Sequence, residues 1–429
     1  MPDAASSLDD WLTYIGRERP TDVSRGLQPT RDIARRLGLL PPAPHNLIVA
    51  GTNGKGSTVV FAESLLLAMG YRVGATLSPH ILQFNERIRI DGEPVSDAGI
   101  TAALAVIDQA RAGQVLSYFE FATLAALYLF REAGVDVTVL EVGLGGRLDT
   151  TNLVDGDVTV ITSVGLDHMA ILGPDRESIA AEKAGILRHG VPLVFGESDV
   201  PRSVQRLAAE LAVPCVVLEQ DYSFALGEAG WSVRAGQQRW AALPVPKLAP
   251  VNAATAVQAV SLLPLDRPLT RDHLVQAAVR GSLPGRFERR RFRDRALILD
   301  VGHNAHAAAF LSQQLATEPV AGRTIAIAGF FADKDAGAVI DALQPVVDEW
   351  VFVSTRGERG TAGAELYARH GRVGVDWEAD LVGPALGETL MRSKPDDRIM
   401  LMGSFDVVEQ ACHWLQWQTA RPELEAASD

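Results

Sequence analysis

An α/β fold built on mostly parallel sheet follows from three features of the chain. Short β-branched runs alternate with helical patterns from about residue 46 onward, the order that successive strand–helix–strand units require. The runs "VDVTVLEVG", "DVTVITSVG" and "VPLVFGE" have almost no polar alternation, as expected of strands covered on both faces. The stretch "LIVAGTNGKGSTVVFAESLL", residues 47–66, sets a strand, a glycine-rich turn and a helix in the order of a phosphate-binding loop.

Taken in order, "NLIVA" reads as a buried strand and "STVVFAESLLLAMG" as the helix after it, ended by Gly70. The three unalternating runs supply further parallel strands. Between residues 213 and 243 the pattern shifts to short two-period segments, the mark of a small antiparallel addition. "NAATAVQAVSLL" restores a helix opening at Asn252, a residue suited to cap it. Around "LPGRFERRRFRDR" charged residues replace the apolar periodicity. A second alternating series then begins with "ALILDV" and runs through "RTIAIAGF", "EWVFVST" and "DRIMLMGS". The expected organisation is a large first domain at 1–284, a linker at 285–295, and a smaller Rossmann-like α/β domain at 296–429. No internal repeat, low-complexity block or coiled-coil heptad interrupts it.

The bulk properties narrow the function classes. A chain of 429 residues exceeds one ordinary core, and 47% hydrophobic with 22% charged residues is a globular balance. No apolar run approaches the roughly 18 residues that span a bilayer, so no membrane partner is expected. The start "MPDAASSLDDW" has neither a basic nor an apolar signal region, and Cys215 and Cys412 are too few for a disulfide framework. Both point to the cytoplasm. A net charge of −13 argues against nucleic-acid binding. The arginine-rich "RFERRRFRDR" at 286–295 reads as a solvated segment.

The loop at 51–58 departs from the pattern G-x-x-x-x-G-K-[ST]: Gly56 separates Lys55 from Ser57, and Val49 takes the place of the first glycine. Its requirements are nonetheless met. Gly51, Gly54 and Gly56 let backbone N–H groups converge, Lys55 brings a point charge to the β- and γ-phosphates, and Ser57 and Thr58 can cap the helix or offer a hydroxyl to magnesium. The loop alone does not say which chemistry it serves, and a plain glycine turn carrying a lysine would look similar. Other positions are weaker by themselves. Glu141, ending a buried strand, suits a metal ligand or a turn cap. His168 follows the next strand and Ser78 ends "VGATLS"; Lys183 reads as a surface helix lysine, and "SYFEF" as the start of a buried helix.

The spelling G-T-N-G-K-G-[ST] resembles the phosphate loop of the Mur ligase superfamily, ATP-dependent enzymes that join a carboxylate to an amine. The chain is similar to its folate branch over nearly its whole length, through "SPHILQFNERI", "SYFEFATLAAL", "EVGLGGRLDTTN", "GLDHMAILG", "IAAEKAGIL", "NAATAV", "LPGRFE", "DVGHNAHA" and "GSFDVV". The resemblance implies a P-loop ATPase domain followed by the C-terminal ligase domain. It implies ATP on Gly51, Thr52, Asn53, Gly54, Lys55, Gly56, Ser57, Thr58, Asn252, Arg286, Asp300 and His303. It implies magnesium, as two ions, on Ser57, Ser78, Glu141 and His168, with Lys183 carbamylated (N6-carboxylysine) and Lys55, Glu141, His168 and Lys183 serving catalysis. The pterin is assigned to Ser24, Arg25, Gly26, Leu27, Ser117, Tyr118, Phe119, Glu120, Leu148, Asp149 and Thr150, with Phe119 stacking and Asp149 accepting from the amino-pyrimidinone edge. One departure from the family pattern is Ala305, where a proline is usual. The implied activity adds L-glutamate to dihydropteroate and to reduced folates through an acyl phosphate, in a monomer. The alternatives are extension of folate glutamates only, a cell-wall precursor amide ligase, or a nucleotide-gated binding module.

Overall fold

The computed structural model describes Pro2, residues 6–17 and residues 26–419. The chain divides into two compact units, Met1–Ser282 and Leu283–Asp429. The first opens with helices α1 (Leu8–Arg17) and α2 (Gln28–Arg36), then β1 (His45–Ala50), α3 (Lys55–Ala68), β2 (Val73–Thr76), β3 (Ile88–Ile90) and β4 (Glu93–Pro94). There follow α4 (Asp97–Arg111), α5 (Tyr118–Ala133), β5 (Val137–Glu141), β6 (Val158–Ile161), α6 (Met169–Leu172), α7 (Arg176–Ala184), β7 (Leu193–Phe195), α8 (Arg202–Glu210) and β8 (Cys215–Val217). The unit closes with β9 (Ser223–Gly227), β10 (Gly230–Ala235), β11 (Gln238–Leu243), α9 (Pro250–Leu262) and α10 (Arg271–Arg280).

Eight strands form one sheet in the order β4-β3-β2-β5-β1-β6-β7-β8. The run from β2 to β8 is parallel, and β3 and β4 add an antiparallel edge. Every residue of β5 and β6 is buried, which is why their sequences lack polar alternation. α3 is buried nearly all round, held between the sheet and α9 and α10, so it too has no polar face to display. Tight packing leaves room for only glycine in places: a Cβ at Gly74 of β2 would lie 2.6 Å from the Phe130 ring of α5. The expected antiparallel addition is a three-stranded sheet, β11-β10-β9, whose Trp231 meets Phe61 of α3 edge to face at 6.0 Å.

The second unit carries β12 (Glu288–Phe292), β13 (Arg295–Asp300), α11 (Ala305–Thr317), β14 (Thr324–Ala328), α12 (Ala336–Leu343), β15 (Glu349–Val353), α13 (Gly363–His370), β16 (Trp377–Ala379), α14 (Val382–Arg392), β17 (Arg398–Met402) and α15 (Phe405–Thr419). Its sheet runs β12-β13-β17-β14-β15-β16, parallel except for β12. The segment expected as a linker thus includes a strand. Arg289, Arg290 and Arg291 follow one another along this edge strand, where Arg289 pairs with Glu318, and Arg290 with Glu288 at 2.6 Å. Charge on an edge strand discourages pairing with a second chain, and this accounts for Arg289 and Arg290. No helix among the described residues is long and apolar enough to cross a membrane.

Two helix starts correct the sequence reading. α3 begins at Lys55 behind Gly54, so Ser57 and Thr58 lie inside the first turn and do not cap it. α9 begins at Pro250 behind Ala249, so Asn252 is an interior first-turn residue. In both cases backbone geometry (a left-handed glycine, a proline at the first position) starts the helix earlier than the side-chain cap rule suggests.

Candidate active site

β1 ends at Ala50 and α3 starts at Lys55, so the chain turns within Gly51–Gly54. Gly54 is left-handed, with φ +85°, and a Cβ there would sit 2.5 Å from Asn252 Oδ1. The structure therefore brings Asn252 of α9 directly against the loop. A Cβ at Gly51 would lie 1.8 Å from the Thr162 hydroxyl oxygen. Thr162 and Ser163, which close β6, fasten the loop: Thr162 Oγ1 donates to Asn53 O at 2.6 Å, Asn53 N donates to Ser163 Oγ at 3.0 Å, and Thr52 N donates to Ser163 O at 2.9 Å. Sequence reasoning missed both residues; their one signal is a polar pair closing the apolar run "DVTVITSVG". Lys55 Nζ curls back onto Gly51 O at 3.2 Å. No side chain caps α3, so the first-turn N–H groups remain available to an anion. Thr58 Oγ1 is buried and has no hydrogen-bond partner among the described residues.

Glu141 is the last residue of β5, paired in register with Val49 of β1 beside the loop. Its side chain is buried, and Oε2 accepts the Ser78 N–H at 2.8 Å, which joins two of the expected metal ligands. Lys183, on the last turn of α7, is also buried; burial, then the charge of Lys55, pushes its amine down to about 7, while Asp167 acts in the opposite sense. Lys55, Asp167 and Lys183 are thus electrostatic neighbours, although the sequence reads Lys183 as a surface residue. Its burial corrects that reading. His168 is exposed, with a left-handed backbone (φ +51°), and its N–H donates to Asp167 Oδ1 at 2.8 Å. Among the described residues no three His, Cys, Asp or Glu side chains gather to hold a metal alone. The donor set, a buried carboxylate beside a serine, fits magnesium, which keeps water and phosphate oxygens and uses one or two carboxylates.

The expected pterin residues separate into two kinds. Ser117 and Glu120 form a capping box on α5: Ser117 N donates to Glu120 Oε2 at 2.7 Å, and Glu120 N donates to Ser117 Oγ at 3.2 Å. Glu120 also accepts the buried Thr30 hydroxyl of α2. Phe119 and Asp149 converge over Gly143, where a Cβ would lie 2.6 Å from Phe119 Cζ and 3.2 Å from Asp149 Oδ2. Asp149 is buried and already accepts Thr151 N and Leu144 N, each at 2.9 Å; burial pushes its pKa up and these bonds oppose the rise. Leu148 is exposed and Thr150 buried in the same turn. Gly26 (φ +58°) and Leu27 lead into α2, whereas Ser24 and Arg25 lie outside the described residues.

In the second unit Asp300 ends β13, and its carboxylate accepts Phe287 N at 2.8 Å and Gly302 N at 2.7 Å. Burial raises its pKa against those bonds and the nearby charges of Arg286 and His303. His303 Nδ1 lies 2.9 Å from Val301 O and donates to it. The Arg286 guanidinium rests over the Phe405 ring, 4.9 Å from its centre. Asn304 caps α11 through Ala307 N at 2.9 Å, and Ala305 follows as an ordinary first helical residue.

Comparison with known proteins assigns residues 49–192 to the Mur ligase middle domain and residues 285–405 to the Mur ligase, glutamate ligase domain. The chain is 40% identical over 409 residues to the dihydrofolate synthase/folylpolyglutamate synthase of Escherichia coli (strain K12), with 95% of each chain covered. It superposes on the structure of E. coli FolC in complex with DHPP and ADP with a TM-score of 0.92 and 37% identity, covering 99% of this chain and 100% of that one. A bifunctional folylpolyglutamate synthase/dihydrofolate synthase with Mn, AMPPNP and L-glutamate bound matches with a TM-score of 0.90 and 40% identity, covering 97% of this chain and 99% of that one.

Proposed function

The chain belongs to the dihydrofolate synthase/folylpolyglutamate synthase family of Mur ligases, and on that premise we propose that it is an ATP-dependent ligase that adds L-glutamate to dihydropteroate and to reduced folates. The observation that carries this reading is the uncapped, glycine-turned start of α3, with Lys55 on it and Asn252 packed against it. It offers N–H groups and a fixed positive charge to a triphosphate, and phosphoryl transfer needs little beyond such positioning and charge.

In the proposed reaction the carboxylate of the acid attacks the γ-phosphorus, and the bond to the β,γ-bridging oxygen breaks to release ADP. The neutral amine of L-glutamate then adds to the acyl carbon of the acyl phosphate; inorganic phosphate leaves, the amine loses a proton and the amide forms. Lys55 and the first-turn N–H groups balance charge on the phosphates. Asn252, and in the second unit Arg286, Asp300 and His303, are proposed nucleotide contacts; Phe119 and Asp149 are proposed to receive the pterin. Ser57, Ser78, Glu141 and His168 are proposed to hold two magnesium ions, which when bound neutralise charge on the transferred phosphoryl group. Lys183 is proposed to carry a carbamate, whose formation needs the neutral amine that burial favours.

The test is glutamate-dependent release of ADP and phosphate, run separately with dihydropteroate and with tetrahydrofolate. Amide formation from both acids is expected; turnover with the reduced folate alone would restrict the enzyme to chain extension. Lys55→Ala should lower turnover by at least about a hundredfold with the melting temperature preserved, and turnover near wild type would rule the mechanism out.

A further inference from the structure

Arg87 sits in the short turn Phe84–Arg87 that leads into β3, and none of the roles above uses it. Its backbone carbonyl accepts Leu77 N at 3.0 Å, which ties it to the residue preceding Ser78. The guanidinium lies against two rings, 5.8 Å from the centre of Phe84 and 5.6 Å from that of Tyr118, and these rings meet edge to face at 5.8 Å. Nε donates to His80 Nδ1 at 2.7 Å. That nitrogen accepts, so the ring presents a lone pair to the guanidinium there.

No carboxylate among the described residues forms an ion pair with this cation. Glu86 is engaged by the N–H groups of Ile81, Leu82 and Gln83, at 2.8, 2.8 and 2.9 Å. Glu141 attracts the cation without forming an ion pair with it, and its carboxylate receives Ser78 N. Four of the five guanidinium N–H groups therefore donate to no described residue. A largely buried cation with no carboxylate in contact among the described residues is costly, and a guanidinium held against aromatic walls keeps a fork that can accept a planar anion through two parallel hydrogen bonds.

We propose that Arg87 is a substrate-binding residue whose Nη atoms grip a carboxylate. The carboxylate belongs to the organic acid to be activated, because Arg87 lies between Tyr118, next to the proposed pterin-stacking Phe119, and the Ser78–Glu141 pair, where the γ-phosphate is proposed to be transferred. The inference rests on the ligase reading given above. The aromatic walls, and His80 through its bond to Nε, hold the guanidinium while leaving the Nη atoms to the anion. The α-carboxylate of L-glutamate has the same chemistry, and the test separates the two sources.

The variants are Arg87→Gln and Arg87→Lys, the latter keeping charge and stem but not the fork. Each is assayed for the KM of dihydropteroate, tetrahydrofolate and L-glutamate, and for ATP affinity by calorimetry as a check on folding. Binding of each pterin acid is also compared with that of its methyl ester. Both variants should raise the KM of the acids by roughly tenfold or more, leave ATP affinity within about twofold, and abolish the preference for acid over ester. A rise confined to L-glutamate would support the fork and assign it to the amine substrate. If every KM, that of L-glutamate included, is unchanged in variants that still bind ATP, the proposal is overturned; so it is if the acid keeps its advantage over the ester while the KM of L-glutamate is also unchanged. Failure of the unaltered protein to make any amide would instead remove the ligase reading beneath it.

Discussion

Lys183 shows how far a single residue's meaning depends on its surroundings. In the sequence it is one more lysine in "AAEKAGI"; in the fold it is buried beside the charge of Lys55, and its amine is pushed down to about 7. An unfolded lysine titrates near about 10.4. Between these values the unfolded chain holds a proton that the folded chain lacks, so rising pH favours the fold; below about 7 both states are protonated and the full cost of the buried charge is present. Without carbon dioxide, the melting temperature of the wild type relative to Lys183→Met should therefore climb from pH 6.5 to 9. A flat difference would place the amine in solvent. With bicarbonate, mass spectrometry of the intact protein should find one added carbon dioxide that Lys183→Met lacks. Asp149 carries the complementary lesson: its carboxylate, expected to receive a pterin, already supports its own turn through Thr151 and Leu144. Any ligand hydrogen bond there adds to bonds that exist.

At the scale of elements, the phosphate loop is a joint effort of β1, α3, β6 and α9. The glycine at 54 is required twice, for its left-handed φ of +85° and because Asn252 occupies the space a side chain would take. Gly54→Ala should cost about 1–2 kcal/mol for the backbone alone, with a further cost for moving the Asn252 amide. ATP affinity should fall at least about tenfold. Replacing Asn252 with alanine in that background should relieve the crowding but not the backbone strain, so stability should recover only in part. Calorimetric ATP titration with parallel thermal melts checks this, and an unaltered ATP affinity in Gly54→Ala would show that nucleotide binds elsewhere. β12 belongs to the same scale. Its arginines read as a solvated segment in sequence, and in the structure they form a charged sheet edge with partners at Glu318 and Glu288.

For the whole molecule, each unit has its own core. That of the first unit gathers Trp11, Ile33, Phe121, Phe130 and Phe195; that of the second gathers Phe330, Trp350, Phe352 and Met400, with Trp350 and Phe352 stacked at 6.1 Å. Separate cores predict separable unfolding. Phe352→Ala removes a fully buried ring and should cost about 3–5 kcal/mol. In a calorimetric scan it should lower one transition and leave the other in place. If both fall together, the two units unfold as one body.

The sequence by itself determined the α/β class, the near-continuous apolar strands, the phosphate loop and the membership of the folate branch, because strand periodicity, glycine spacing and motif spelling are local. It also put Gly51, Gly54 and Lys55 where the loop turns, since a tight turn before a helix needs those residue types whatever surrounds it. Only the tertiary structure decided that Asn252 is a wall of the loop, that Thr162 and Ser163 hold it, that Lys183 is buried, and that Arg87 stands between two rings with no ion-pair partner among the described residues. Each of these depends on which distant segments meet, and burial, clash and charge pairing are properties of neighbours in space that the order of residues along the chain does not display.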